Sequence, residues 1–266
     1  MADESPAEHA SLDYDAGVIT ITLQRTEKLN AVSDEILAVL DRAVTTLASD
    51  DAARVLVIRA VGSYFTAGID LRGELFRAMR EPSEFPGAHF RRVYSSLHRL
   101  FDQIEAVEKP VILAAQGPCL GVGVELAASC DFRFASEEAV FGLPEIKLGA
   151  LAGSGGTGRL SRLIGPHWTK WIAVAGQQVS AAQALQIGLV HEVTAAGQLD
   201  QRVGTFVNHL IDLPGEALGL AKLAVDLSTD SDRHTQRNIE RIAVTTLFGR
   251  DEFNRRVSRF ENPSDE

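Results

Sequence analysis

The stretch from Lys109 to Glu125 limits what this chain can fold into more than any other part of it. Val111-Ile112-Leu113-Ala114-Ala115 is a short apolar run of the kind that forms a buried strand, and a glycine-rich turn follows through Gly117, Gly121 and Gly123. The turn opens directly into a small-residue helix carrying Glu125 in its first turns. A strand–turn–helix junction of this kind aims backbone N–H groups, and the positive end of the helix dipole, at an anion above the turn. Glu145 follows 20 residues after Glu125, behind Phe141-Gly142-Leu143-Pro144. Two carboxylates flanking an amide cluster are the equipment for proton transfer beside a developing oxyanion.

At 266 residues the chain makes one large domain, or one plus a small appendage. A net charge of −10 argues against nucleic acid and anionic membranes as partners, since both attract a basic face. No uncharged apolar run approaches the ~18 residues of a membrane span, and Met1 to Pro6 lacks the apolar core of a signal peptide. Cys119 and Cys130 are the only cysteines, 11 residues apart and without a nearby His pair. They predict no zinc site and a reducing, cytoplasmic setting. The 7 histidines are scattered without an HExxH pattern, so neither a metal centre nor a Ser–His–Asp triad is expected.

Strand and helix signals alternate. Val18 to Leu23 alternates with period two, and Ser33 caps a helix with apolar positions Ile36, Leu37, Leu40, Val44 and Leu47. Val55 to Ile58 predicts a strand, Gly62 to Asp70 a loop, and Phe90 to Val107 a helix. After Val111 to Ala115 come a helix over Glu125 to Cys130 and strands at Phe132 to Phe134 and Val140 to Phe141. From Ala181 the pattern is helical apart from a strand at Leu189 to Val193, and from Arg202 onward it is entirely helical. Arg72 to Gly87 is the most irregular stretch, interrupted at Pro82 and Pro86. The prediction is an α/β core over residues 1–201 with a helical region over 202–266.

Five segments resemble the crotonase, or enoyl-CoA hydratase/isomerase, superfamily. They are Phe65-Thr66-Ala67-Gly68-Ile69-Asp70-Leu71, the Lys109–Asp131 stretch, Phe141 to Glu145, Gly155 to Leu160, and Ala182 to Val190. The resemblance implies an α/β spiral of ββα units with a C-terminal helical trimerisation region, assembled as a homotrimer or a dimer of trimers. It implies an acyl-CoA thioester whose carbonyl oxygen sits between two backbone amides, by position those of Ala67 and Val122. It places the two catalytic glutamates of the hydratase branch on Glu125 and Glu145, and the substrate beside Gly68, Ile69 and Asp70. Arg25 and Lys28 are candidates for the CoA phosphates, or else solvated loop charges. No cofactor is required, because coenzyme A is part of the substrate.

The chain departs from the family where Gly121-Val122-Gly123 replaces three consecutive glycines, and where Thr26 replaces the usual Pro. Gly153 stands where the dienoyl-CoA isomerase branch carries an Asp. Gly153-Ser154-Gly155-Gly156-Thr157-Gly158 matches the dinucleotide fingerprint in letters, but no strong strand precedes it. It is expected to be a tight loop feeding a helix near the active site. His89 borders the irregular segment and is more often a surface residue than a ligand. The expectation is an enoyl-CoA hydratase. The rivals are a Δ3,Δ2-enoyl-CoA isomerase using Glu145, and a non-catalytic acyl-CoA-binding paralogue.

Overall fold

The structure is a computed structural model describing residues 9–82 and 84–261. β1 (Ala10–Asp15) pairs antiparallel with β2 (Val18–Leu23). α1 (Asp34–Ser49) starts where the Ser33 hydroxyl accepts the Ile36 N–H, and it buries Ile36, Leu40, Val44 and Leu47. The remaining strands are β3 (Val55–Ala60), β4 (Val111–Ala115), β5 (Cys119–Leu120), β6 (Phe132–Ser136), β7 (Val140–Gly142), β8 (Val179–Ser180) and β9 (Glu192–Thr194). They form a large sheet in the order β1-β2-β3-β4-β6-β9 and a small one in the order β5-β7-β8. Beyond the first hairpin, every neighbouring pair in the large sheet is parallel.

The helices between them are α2 (Glu74–Met79), α3 (Pro86–Ala106), α4 (Val122–Ser129), α5 (Gly156–Ala173), α6 (Ala181–Gln186) and α7 (Leu199–Asp212). The strands β3 and β4 are covered on both faces, which explains their near-continuous apolar character. Leu56, Ile58, Val111 and Leu113 enter the main core, while Val55, Val57, Ile112 and Ala114 enter a second core beneath α7. The chain winds in ββα turns, β4–β5–α4 and then β6–β7–α5, placing the long strand of each turn in the large sheet and the short one in the small sheet. Bridges from Val32 to Ile69 and from Thr66 to Cys119, followed by the β5–β7 pairing, stack the successive turns. This is the α/β spiral of the expected fold class.

Some local expectations are corrected. Arg72 to Gly87 is not wholly irregular, because it holds α2 and the start of α3. The Asp34 carboxylate accepts the N–H groups of Glu74 and Leu75 at 3.0 and 3.1 Å, a cap supplied from a distant part of the chain. Pro86 opens α3 at a position where a missing N–H breaks no helical bond. The last strand lies at Glu192–Thr194, and Leu189 and Val190 are buried in the turn before it. Helix α7 begins before Arg202 and buries Leu199, Val203, Val207 and Leu210 on the sheet, so it belongs to the core layer.

Three further helices follow, α8 (Gly215–Ser228), α9 (Arg233–Leu247) and α10 (Asp251–Glu261). Gly219 is the only buried residue of α8, and α9 has none. Among the described residues no helix is long and apolar enough to cross a membrane.

Candidate active site

Helix α4 starts three residues earlier than expected, which puts Glu125 in its first turn. The side chain turns into the core and is 1% exposed. Its Oε1 accepts the Ser154 N–H at 2.7 Å and the Gly156 N–H at 3.1 Å. The glycine loop before α5 is therefore a cradle for this carboxylate. Burial raises its proton affinity above the ordinary glutamate value, and the two N–H donors act in the opposite direction by favouring the ionised form.

Glu145 comes from a different element, a 3-10 turn over Pro144–Leu148 anchored by buried Leu143. Its Oε2 is buried and without a hydrogen-bond partner. Burial, with the charge of Glu125 adding to it, pushes its pKa up to about 6. Gly121 makes room for its other oxygen. A Cβ there would stand 2.7 Å from Glu145 Oε1, and the backbone takes φ 56°, ψ −126°, a conformation open to glycine.

Val122 is the first residue of α4, so its N–H has no intrahelical acceptor. The Ala67 N–H, the expected partner donor, is already engaged by the Leu29 carbonyl at 2.9 Å. Two residues on, the geometry reverses. Val32 bonds the Gly68 carbonyl at 2.8 Å and accepts from the Asp70 N–H at 2.9 Å, so the intervening Ile69 N–H points to the other side. No acceptor among the described residues meets it. A Cβ on Gly121 would lie 3.5 Å from the Gly68 Cα, so the two backbone segments bearing these free amides pack directly together.

The remaining candidates fall around this centre. Arg25 donates to Asp70 at 2.6 Å and to the Ala31 carbonyl, while Lys28 is exposed. Burial alone would raise the Asp70 carboxyl, but the Arg25 guanidinium and the Arg72 N–H outweigh it and hold it below the usual range. His89 Nε2 meets the Ala78 carbonyl at 2.6 Å and so ties α3 to α2. Sequence reasoning missed Ser154, whose N–H holds Glu125, and Tyr94, whose ring lies against Gly153 in the same loop. The only signal for Tyr94 was the Phe90-Tyr94-His98 spacing on α3, and Ser154 was hidden inside the glycine loop.

The enoyl-CoA hydratase/isomerase family model matches residues 13–264. The chain is 32% identical to the short-chain-enoyl-CoA hydratase of Clostridium acetobutylicum over 238 residues, 89% of this chain and 88% of the relative. It is 33% identical to the 1,2-epoxyphenylacetyl-CoA isomerase of Escherichia coli over 225 residues, covering 85% and 84% of the two chains. The crystal structure of enoyl-CoA hydratase from Bacillus anthracis superposes with a TM-score of 0.86 at 30% identity, covering 96% of each chain. A hydratase and an isomerase at nearly equal identity share the scaffold and leave the reaction to the site. Matched over nearly its whole described length, the chain belongs to the enoyl-CoA hydratase/isomerase family.

Proposed function

We propose that the protein adds water across the 2,3 double bond of an enoyl-CoA thioester to give a 3-hydroxyacyl-CoA. One observation carries this reading: two carboxylates from separate elements, near enough for the charge of one to raise the pKa of the other, flank packed backbone segments that bear two unpaired amides. The thioester oxygen lies between the N–H groups of Ile69 and Val122, with Ile69 taking the role first expected of Ala67. Negative charge builds on that oxygen as C3 is attacked, and one such donor lowers the barrier by ~3–4 kcal/mol.

The environments of the two glutamates divide the labour. Burial raises the proton affinity of both carboxyls, but Glu125 has two N–H donors that offset it, so Glu125 is assigned to take a proton from the water whose oxygen bonds to C3. Glu145 has an unpartnered buried oxygen and a raised pKa, so it holds a proton to deliver to C2. These groups supply the proton and charge handling that the addition needs, and coenzyme A enters as part of the substrate. Lys28, which is exposed, is a candidate for its phosphates, while Arg25 is held by Asp70. Buried free thiols at Cys119 and Cys130 suit a reducing, cytoplasmic compartment. The exposed apolar side chains of α8 and α9 support a homotrimer or a dimer of trimers.

Δ3,Δ2-isomerisation is the second reading, because it needs one carboxylate and Glu145 has a buried oxygen without a partner. Incubation with short, long and branched enoyl-CoAs in heavy-oxygen water separates the two. Labelled 3-hydroxyacyl-CoA is expected. Double-bond migration without label would assign the isomerase, and tight binding with no chemistry would leave a non-catalytic acyl-CoA-binding protein.

A further inference from the structure

Gly153 lacks a side chain, and the space a side chain would need is occupied. A Cβ there would lie 2.8 Å from Cε1, 3.1 Å from Cζ and 3.2 Å from the hydroxyl of Tyr94. The phenol arrives from α3 on a well-braced face. Phe90 stacks on it with ring centroids 5.2 Å apart, and His98 meets its ring at 6.0 Å while bonding the Gly153 carbonyl at 2.5 Å. The Tyr94 oxygen faces the Gly153 backbone and the Ser154 hydroxyl. The Ser154 N–H, in turn, holds Glu125.

Glu145 Oε2 in this neighbourhood is buried without a partner, while the fully buried Ser154 hydroxyl lies between Tyr94 and Glu125. Buried polar atoms of this kind are ordinarily satisfied by a ligand or an ordered water. We propose that the Tyr94 hydroxyl bonds the oxygen atom added at C3, as a third polar arm beside Glu125 and Glu145. The proposal rests on the hydratase reading and deepens it. Burial, and then the charge of Glu125, hold the phenol protonated at neutral pH, so it acts as a donor and takes no part in net proton transfer.

Tyr94→Phe keeps the ring and removes the donor. In heavy-oxygen water the variant should label product with kcat lowered roughly tenfold and KM changed less than about twofold, the scale of one hydrogen bond. A second measurement separates contact with the added oxygen from a structural role. In a Glu145→Gln background, where turnover is suppressed, calorimetry compares 3-hydroxybutyryl-CoA with butyryl-CoA, which lacks the hydroxyl. Tyr94→Phe should weaken the hydroxylated ligand roughly tenfold and leave the saturated one unchanged. Equal loss for both ligands, or no loss for either, overturns the proposal. Wild-type protein that labels no product overturns the hydratase reading, and the proposal falls with it.

Discussion

Helix α4 and helix α9 are both short, yet the chain treats them in opposite ways. Seven of the eight residues of α4 are buried, Glu125 among them, whereas none of the fifteen residues of α9 is. The α4 sequence is apolar nearly all round, so it must sit inside the protein, and a carboxylate on it is carried into a low-dielectric setting. The α9 sequence is polar with an apolar stripe, and Ile242 remains 68% exposed, with Phe248 just beyond the helix at 65%. One helix derives its chemistry from burial within its own chain. The other leaves apolar surface exposed on the single chain, which the proposed assembly would cover with a neighbouring protomer.

The contrast breaks first at the carboxylates. Glu125→Gln and Glu145→Gln should each lower hydration turnover by roughly 10²–10⁴-fold with an unchanged circular dichroism spectrum. The double variant should lose far less than the product of the two, because both groups act on one water. Full hydration by Glu125→Gln would reduce the burial of that carboxylate to a packing detail.

The start of α4 gives the next largest effect. Val122→Pro removes an amide that no helical bond uses and should cost about 10²–10³ in turnover. Val122→Gly keeps the amide and should stay within about tenfold, with a flexibility cost near 1 kcal/mol. Equal activity in two equally folded variants would move the oxyanion elsewhere.

For α9 the measurement is mass in solution. Light scattering should give a trimer or a hexamer, and Ile242→Glu combined with Phe248→Glu should lower that mass while residues of the α4 site keep their fold. A stable monomer at micromolar concentration would mean that α9 is not an interface, and the comparison would lose its second half.

The smallest effect is on stability. The Glu145 pKa is pushed up to about 6 in the folded protein from an ordinary glutamate value of 4.5. Folding therefore favours its protonated form, and ionisation above that range disfavours the native state. Glu145→Gln should raise the melting temperature by about 1–3 °C at pH 8. The gain should fade as the pH falls through 6 and be absent below 4.5. A gain that persists at pH 4 would trace to packing, not to charge.

What could be foreseen from sequence follows from what is local. The strand, turn and helix around Val111 to Glu125 are written in adjacent residues, as are the Ser33 cap and the periodic face of α1. The pair Glu125 and Glu145 came from the family resemblance; Glu125 is held by the loop before α5 and Glu145 lies against Gly121, near enough for the Glu125 charge to raise its pKa. What escaped depends on distant partners. Helix α2 is capped by Asp34 from forty residues away, and Ala67 is disqualified as a donor by a carbonyl on Leu29. Tyr94 has no motif of its own, because its placement depends on space left by Gly153.

The glycine at 121 makes the two sides of the site unequal as material for redesign. Any side chain there would strike Glu145 and force a backbone conformation that L-residues avoid, and Gly68 packs against the same spot. A mutational library aimed at new acyl groups should therefore leave the floor of the site alone. Its diversity belongs at exposed positions of α2 such as Glu74 and Arg77, away from the α3 face where Phe90 braces the Tyr94 phenol. A catalyst built this way can change what it accepts while the reaction it performs stays the same.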